Sequence, residues 1–393
     1  MADCTDPTSN DSEVERPVNV VVVTVAHRGD DARIVHRQIR SLVEAGHSVT
    51  LISSDPGEES RRQDAPGLER IFIERAVGRR RVASWWQARR VLSRFARVAD
   101  VILIHDPELI FVVGLGRWRG AVLVWDVHED FVASVSDRRW LPRPLRPLVR
   151  LVLRGAQRFA ERRFRILLAE HSYGARFNGA PVVRNSTWVA PSPHALQEPA
   201  RVVYVGRVST GRGAAALVSL GDELTARGGP RMVVIGPADR NVEAIMRDAH
   251  ERDVIDFRGP LANPEAMREV VGAVAGLSLL LDEPNYRHSQ PTKVMEYLAH
   301  GTPVITTPLP LAAELVRASG GGVVTRAWTG PDLVNEVADA VMAYAASPAL
   351  RDDVGAAGWR YVQSHLDWNS DGAAFVRQLE EWVQSAGRRS TTR

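Results

Sequence analysis

Residues 18–53 read VNVVVVTVAHRGDDARIVHRQIRSLVEAGHSVTLIS, and this stretch decides the fold of the chain. It opens on a β-branched run, Val18 to Val25, and closes on a second such run, Ser48 to Ser53. A polar turn and a helical pattern separate the two runs. A strand, a turn, a helix and a second strand in this order are typical of a parallel β-α-β unit. The stretch therefore predicts an α/β fold with a parallel sheet.

The same pattern recurs along the chain in two groups. In the first half we predict further strands at Arg70 to Glu74, Val101 to His105 and Ala121 to Asp126. In the second half we predict strands at Arg201 to Gly206, Arg231 to Gly236, Val254 to Arg258, Gly276 to Leu281, Pro303 to Thr307 and Gly322 to Thr325. Residues 185–200 lie between the groups and mix Ser, Pro and small residues, which is typical of a linker. We therefore expect two Rossmann-like domains that face each other across a cleft.

These patterns give an expected domain division. The predicted units are a disordered tail at 1–16, a first Rossmann-like domain at 17–187, a linker at 188–200, a second Rossmann-like domain at 201–365, a helix at 366–385 that packs back toward the first domain, and a tail at 386–393.

Polar segments follow many of the predicted strands. They comprise residues 27–33, 105–108 and 126–130 in the first half, and residues 206–213, 236–237 and 282–285 in the second half. In open parallel sheets, ligands bind at the carboxyl ends of the strands. One such segment is weak evidence, because histidines and acids also cap helices. Several such polar segments at matching strand ends predict a binding cleft.

The chain contains forty-nine arginines and a single lysine, Lys293, within Ser289-Gln290-Pro291-Thr292-Lys293. Pro291 suits a first helical turn, and Ser289 or Gln290 can cap it. The exposed N–H groups of such a turn favour an anion, and an ammonium is a more compact charge than a guanidinium. The segment therefore predicts a phosphate site, with chance placement of the lysine as the alternative.

Composition limits the class of protein. The chain has 393 residues, of which 45% are hydrophobic and 25% charged, as in globular proteins of two or three domains. Its longest apolar runs, 18–26 and 274–281, are too short to span a bilayer, and the acidic N-terminus lacks a signal-peptide pattern. We therefore expect a cytoplasmic protein. The only cysteine, Cys4, provides neither a disulfide framework nor a cysteine metal site.

The positive charge is concentrated in the first half. Residues 79–97 contain seven Arg and no acid, and residues 138–165 contain ten Arg with Glu161 as their only acid. Residues 141–154 interleave apolar and cationic side chains, as an interfacial helix on anionic lipid does. A solvated helix face is the alternative. We expect no nucleic-acid partner, because the Arg runs carry few aromatic residues and no nucleic-acid motif.

Several motifs together resemble glycosyltransferase family 4 and its GT-B relatives, which transfer sugars from nucleotide-sugar donors. They are residues 27–34 with 42–49, His105-Asp106, Asp126-Val127-His128-Glu129, Val205-Gly206-Arg207, Arg212-Gly213 in place of the usual Lys-Gly, Asp367-Trp368, and Pro291-x-Lys293-x-x-Glu296-Tyr297-x-Ala299-x-Gly301-x-Pro303-Val304. Together these motifs cover nearly the whole chain. The resemblance implies a GT-B fold and a retaining hexosyltransferase.

The resemblance also implies a donor site in the second domain. Its expected residues are Gly206, Arg207, Arg212, Gly236, His288, Ser289, Pro291, Thr292, Lys293 and Glu296. The cations and the helix start would stabilise the pyrophosphate as it leaves. Glu296 resembles the motif glutamate that binds ribose hydroxyls, and a buried ion-paired glutamate is the alternative. No Asp-x-Asp pair occurs, so we expect no metal and no cofactor beyond the donor substrate.

On the acceptor side, His128 matches the histidine that faces the reacting centre in this family, with a strand-end structural histidine as the alternative. The expected acceptor-binding residues are His27, Asp31, Arg33, His105 and Asp126. His288 stands where the family usually has a first motif glutamate that contacts the donor hexose. This departure leaves the identity of the sugar open.

Three other functions share parts of this pattern. A GT-B nucleotide-sugar epimerase would need no acceptor. A catalytically idle GT-B subunit would bind the donor without transferring it. An NAD-linked dehydrogenase is disfavoured, because His27 to Asp31 stands where a Gly-x-Gly-x-x-Gly would follow the first strand. The base, the acceptor (glycan, lipid-linked saccharide or natural product) and any association with the inner face of the membrane stay open.

Overall fold

The computed structural model describes residues 16–27, 29–55, 57, 61, 66–76, 78–128, 146–177, 179–287 and 292–391. The predicted N-terminal tail therefore lies outside the described residues except for Arg16, which forms a 2.7 Å ion pair with Asp100. The expected donor residues His288, Ser289 and Pro291 also lie outside them.

The first half forms one six-stranded parallel sheet. Its strands are β1 (Asn19–Val23), β2 (Ser48–Ser53), β3 (Leu68–Phe72), β4 (Val101–Ile104), β5 (Val122–Val127) and β6 (Arg165–Leu168). They lie in the order β3-β2-β1-β4-β5-β6, and each neighbouring pair is parallel.

The second half forms another six-stranded parallel sheet. Its strands are β7 (Arg201–Val205), β8 (Arg231–Ile235), β9 (Asp256–Gly259), β10 (Ala275–Ser278), β11 (Val304–Thr306) and β12 (Gly322–Val324). They lie in the order β12-β11-β10-β7-β8-β9. Read from the opposite edge, this is the same order as in the first sheet. The two sheets are the two Rossmann-like domains of a GT-B fold, as the sequence predicted.

The helices cover both faces of the sheets. They are α1 (Arg40–Glu44), α2 (Arg81–Leu92), α3 (Leu109–Gly114), α4 (Arg146–Arg163), α5 (Ala214–Ala226), α6 (Arg240–Glu251), α7 (Asn263–Val270), α8 (Pro284–Arg287), α9 (Thr292–Ala299), α10 (Pro310–Ser319), α11 (Gly330–Ala346), α12 (Pro348–His365) and α13 (Trp368–Thr391). A π-helical segment, Ile34–Ile39, leads directly into α1.

The inner strands are buried on both faces, as expected of parallel sheets between helices, whereas the edge strands β3, β9 and β12 are partly exposed. In β1, Val21 and Val23 belong to one hydrophobic cluster, whereas Val20 and Val22 belong to the cluster on the other face. The second sheet separates two further clusters in the same way. This burial explains why the strands read as continuous apolar runs.

The order of the strands reverses once in each sheet, between β1 and β4 and between β7 and β10. At such a reversal the connecting helices lie on opposite faces, which leaves a crevice beyond the carboxyl ends of the strands. The polar segments at 27–33 and 105–108 follow β1 and β4, and those at 206–213 and 282–285 follow β7 and β10. The fold therefore brings the candidate residues of each domain to one crevice.

Strand β6 is missing from the sequence-based prediction, which found five strands in the first half. Its run Arg165-Ile166-Leu167-Leu168 is short and follows the Arg-rich helix α4. The charged residues before it mask the apolar run. Pairing with β5 is what makes it a strand, because Val124 to Val127 align with Arg165 to Leu168.

The chain returns to the first domain at its C-terminal end. Trp368 and Phe375 of α13 are fully buried in the same cluster as Val20 of β1, and Trp368 Nε1 donates a 2.9 Å hydrogen bond to Ser41 Oγ. The helix continues to Thr391 and so enters the segment 386–393 that was expected to be a tail. Trp382 and Val383 still pack against the first domain, which explains the added length.

None of the helices in the described part of the chain is both long enough and apolar enough to cross a membrane.

Candidate active site

The crevice of the first domain is organised around Asp126, whose side chain is fully buried at the end of β5. Arg33 Nε and Nη2 donate two 2.9 Å hydrogen bonds to its two carboxylate oxygens. Gln38 Nε2 donates a further hydrogen bond of 2.6 Å. Burial alone would raise the pKa of Asp126, but Arg33 and the neighbouring His128 hold it well below its ordinary value. Asp126 is therefore a fixed negative charge.

Two histidines contact this carboxylate. His128 Nε2 lies 2.6 Å from Asp126 Oδ2, and His105 Nδ1 lies 3.5 Å from the same oxygen. His105 is buried, and burial lowers its pKa to about 4, so its imidazole is neutral at neutral pH. His128 is partly exposed, and Tyr173 Oη donates to its backbone carbonyl at 3.0 Å. Only His128 of this pair therefore faces the cleft with a ring edge that a ligand can reach.

The loop after β1 brings a third histidine to the cluster. The rings of His27 and His128 have centroids 5.5 Å apart. His27 Nε2 lies 3.4 Å from Asp106, and Nδ1 lies 3.6 Å from Asp31. Asp106 in turn accepts hydrogen bonds from Thr24 Oγ1 and from the backbone of the β1 end, at distances from 2.6 to 3.3 Å. This network fixes the position of His27.

The predicted acceptor residues thus meet in one place but differ in burial and contacts. Arg33, His105 and Asp126 are buried, and the Asp126 carboxylate contacts Arg33, His105 and His128, so these residues fix the position of His128. Their role in acceptor binding stays a prediction. Asp31 Oδ1 accepts from the backbone N–H groups of Arg33 and Ile34, and so shapes the loop. The side chains of His27, Asp31 and His128 each stay partly exposed.

His105, Asp126 and His128 carry ligand atoms within 4.8 Å of one another, a spacing that a metal ion could use. Both oxygens of Asp126 are already occupied by the Arg33 guanidinium. A divalent cation there would stand beside a buried positive charge. We therefore assign no metal to this group.

In the second domain, Lys293 is almost completely buried on the first turn of α9. Its ammonium lies 3.7 Å from the centre of the Tyr204 ring and has no hydrogen-bond partner among the described residues. Burial, together with Arg212, holds the pKa of Lys293 well below its ordinary value, and Glu296 only partly opposes this. A buried ammonium with no hydrogen-bond partner in the described ranges, and with a carboxylate that only partly offsets its charge, indicates a site for an anion.

Gly206 brings the backbone close to this ammonium, and Gly236 packs against Gly206. A β-carbon on Gly206 would lie 3.4 Å from Lys293 Nζ and 4.0 Å from Arg212 Nη1. Gly236, at φ 136°, approaches so closely that a β-carbon on it would lie 2.1 Å from the Gly206 carbonyl oxygen. Both glycines line a cavity of about 190 Å³, which also includes Asp30 and His36 of the first domain. The cavity therefore opens between the two domains.

The other predicted donor residues take different positions. Arg207 is exposed and forms a 2.5 Å ion pair with Asp239. Arg212 lies 5.9 Å from the Tyr286 ring. Thr292 begins α9, beside the segment outside the described residues. Glu296 Oε1 lies 3.6 Å from Arg37 Nη2 of the first domain, so the buried ion pair considered as the alternative from sequence is present.

Sequence reasoning missed several members of the site. Arg37 and Gln38 lie on the π-helical segment, where nothing in the sequence distinguishes them from other helical polar residues. Tyr204 lies within β7 and reads only as a strand residue. The spacing of Arg33 and Arg37, one turn apart, is the one signal that both could face the cleft.

The sequence matches two family models. Residues 32–160 match the glycosyl transferase 4-like domain, and residues 199–346 match the glycosyl transferases group 1 domain. No curated protein sequence matches the chain closely enough to count as a relative.

Solved structures share the architecture at low sequence identity. The sucrose-phosphate synthase of Thermosynechococcus elongatus has a TM-score of 0.66 at 16% identity, over 94% of this chain and 100% of the other. Anabaena HepE in complex with UDP-glucose has a TM-score of 0.63 at 12% identity, over 92% and 99%. AviGT4, a glycosyltransferase involved in avilamycin A biosynthesis, has a TM-score of 0.54 at 19% identity, over 94% and 98%. At these identities the likeness supports the fold alone.

The buried ion pair at Asp126 gives a stability prediction. Replacing Asp126 with Asn leaves the Arg33 guanidinium buried without a counterion, and we expect a loss of about 3–5 kcal/mol in the free energy of unfolding. Urea unfolding measures it. Asp282→Asn is the matched control, because Arg287 contacts Asp282 with the same two-bond geometry but at the surface.

The control should leave the unfolding midpoint nearly unchanged. The double substitution Arg33→Met with Asp126→Leu removes both charges, and we expect it to destabilise the protein less than Asp126→Asn alone. Equal small shifts for Asp126→Asn and Asp282→Asn would contradict the assignment of Asp126 as a buried, paired anion.

Proposed function

Because this chain is a glycosyltransferase of the GT-B fold that resembles family 4, we propose that it transfers a hexose from a nucleoside-diphosphate sugar to a hydroxyl acceptor with retention of anomeric configuration. The observation that carries the proposal is the buried ammonium of Lys293 beside Gly206, which has no hydrogen-bond partner in the described part of the chain. A second Rossmann-like domain with an anion site at its crevice is suited to a nucleotide donor.

The pyrophosphate is the anion that fits this site. Lys293 and Arg212 both approach Gly206, so two cationic groups converge there, and Glu296 only partly offsets the charge of Lys293. A diphosphate would offset both charges. The same cations stabilise the charge that grows on the diphosphate as the bond to the sugar breaks, and the buried setting strengthens that effect.

The nucleoside and the sugar would extend from the pyrophosphate in opposite directions. Glu296 lies one turn after Lys293 on α9 and would accept hydrogen bonds from the ribose hydroxyls. The sugar would lie toward the first domain, near His128. HepE is described as a complex with UDP and glucose, so a UDP-hexose is the first donor to test.

The chemistry consists of one substitution at the anomeric carbon. The bond from the acceptor oxygen to this carbon forms, and the bond from the carbon to the phosphate oxygen breaks with its electron pair. The acceptor proton leaves to a phosphate oxygen or to water. His128, held by Asp126, would orient the acceptor or donor hydroxyl beside this centre. An epimerase or an idle subunit would bind the donor but give no acceptor-dependent product.

A membrane-bound acceptor has support from one surface of the first domain. Phe111 and Leu115 on and after α3, and Leu151 and Val152 on α4, are exposed apolar residues on two helices that pack together. The exposed Arg154, Arg158 and Arg162 lie on the same helix α4. Apolar side chains beside cations suit the interface of an anionic membrane. We propose peripheral binding through this apolar and cationic surface of α3 and α4.

Nucleotide binding tests the donor site directly. We expect calorimetry with UDP, GDP, dTDP, ADP and NAD to show binding of one nucleoside diphosphate without added metal. Replacing Lys293 with Met removes a charge-assisted hydrogen bond, so we expect the affinity to fall by about tenfold to a hundredfold. Arg247→Met is the control, because Arg247 is exposed on α6 and pairs only with Glu243 among the described residues.

The titration of Lys293 adds a second readout. A bound diphosphate raises the lowered pKa of this ammonium, so at alkaline pH the wild type should take up protons on binding, and Lys293→Met should not. Calorimetry in buffers that differ in ionisation enthalpy measures this proton uptake. Binding of NAD alone, or of no nucleotide, would contradict the donor site and the transferase built on it.

Vesicle sedimentation tests the membrane surface. We expect the protein to bind phosphatidylcholine vesicles only when they contain phosphatidylglycerol, and the double substitution Leu151→Glu with Val152→Glu to abolish binding. Ile245→Glu on α6 is the control for an added acid at an exposed apolar position. If the protein binds neither kind of vesicle, the result would contradict the proposal.

A further inference from the structure

One guanidinium joins three parts of the molecule at the cleft. Arg37 belongs to the π-helical segment of the first domain. Its Nη1 donates a 2.6 Å hydrogen bond to Asn185 Oδ1, where the chain leaves the first domain. Its Nη2 lies 3.6 Å from Oε1 of Glu296 in the second domain. Arg37 therefore links the acceptor domain, the linker and the donor helix α9.

This contact is protected from solvent. The side chain of Arg37 is 4% exposed and that of Glu296 is 14% exposed. Both line a cavity of about 60 Å³ with Trp188, Met267 and His300. The cavity leaves space beside the Glu296 carboxylate. Among the described residues, Arg37 is the only ion-pair partner of this carboxylate. The second oxygen, Oε2, is thus available to a ligand.

We propose that Arg37 is a positioning residue for the donor, which holds the Glu296 carboxylate from the opposite domain so that its other oxygen binds the ribose hydroxyls. This inference rests on the proposed function of the second domain. It means that the nucleotide site is incomplete without a residue of the first domain. Donor binding and the relative position of the two domains are then linked.

The same segment also supports the acceptor side. Arg33, four residues before Arg37, holds Asp126 and through it His128. The turn from Arg33 to Arg37 therefore contacts both the carboxylate for the ribose and the cluster beside the reacting centre. A ligand that fixes Glu296 fixes this turn as well. The geometry gives a direct physical route from the nucleotide to His128.

The charge state of Glu296 depends on few groups. Burial raises its pKa, and Arg37 followed by Lys293 lowers it. Across the cavity lie His36 and His300, whose pKa values burial lowers, that of His300 to about 4. Both imidazoles are therefore neutral at neutral pH. Without Arg37, Lys293 is the one described residue left that opposes the protonation of Glu296.

The experiment compares three ligands on the wild type and on Arg37→Met. UDP carries the ribose diol, 2′,3′-dideoxy-UDP lacks it, and inorganic pyrophosphate lacks the nucleoside; if calorimetry selects another base, its nucleotides replace these. We expect Arg37→Met to weaken UDP about tenfold and to leave pyrophosphate within about twofold. The dideoxy nucleotide should bind both proteins equally, because it does not use Glu296.

Two further readouts separate positioning from a loss of structure. As the pH decreases, the affinity of Arg37→Met for UDP should begin to fall at a higher pH than that of the wild type, because burial raises the pKa of Glu296 and Arg37 no longer opposes this effect. Arg37→Lys keeps a positive charge and should recover part of the affinity. Arg247→Met should match the wild type with every ligand.

Three results would overturn the proposal. The first is an Arg37→Met protein that binds UDP as tightly as the wild type. The second is equal weakening of UDP, dideoxy-UDP and pyrophosphate, which would mean that the whole site is distorted. The third is an Arg37→Lys variant that binds UDP as weakly as Arg37→Met, together with a pH dependence of UDP affinity for Arg37→Met that is the same as that of the wild type. Failure of the wild type to bind any nucleotide would instead contradict the proposed function.

Discussion

A buried charge needs a partner of opposite sign, and this constraint organises both crevices of the protein. In the first domain Asp126 finds its partner within the chain, because Arg33 contacts both carboxylate oxygens. In the second domain Lys293 has no such partner among the described residues. The first crevice is therefore electrostatically complete and rigid. The second is incomplete, and a ligand anion would complete it.

The topology explains why these charges face one another. Each sheet reverses its strand order once, and the loops beyond β1 and β7 both open at their reversal points. The chain crosses between the domains twice, at Thr187 and at Asp367, and these two crossings pair as neighbouring extended segments. Trp188 Nε1 donates a 2.6 Å hydrogen bond to the His36 carbonyl, which ties the linker to the π-helical segment. The cleft residues thus share one support.

The sequence predicted the repeated β-α-β units because parallel strands buried on both faces read as long apolar runs. It also proposed His27 and His128 as site residues because polar segments follow predicted strands, and Lys293 because the single lysine lies at a predicted helix start. These site roles stay predictions. It missed β6, which only pairing with β5 defines. It could not predict the ion pair of Glu296 with Arg37, because the two residues come from different domains and are 259 positions apart in the chain. Contacts of that kind depend on how the domains pack.

The most direct test of this account is a crystal structure of the protein with a bound nucleoside diphosphate. We expect a pyrophosphate oxygen within hydrogen-bonding distance of Lys293 Nζ, beside Gly206, with no metal between the phosphates and the protein. A nucleotide bound in the crevice of the first domain, or one bound elsewhere while Lys293 keeps no anionic partner, would contradict it.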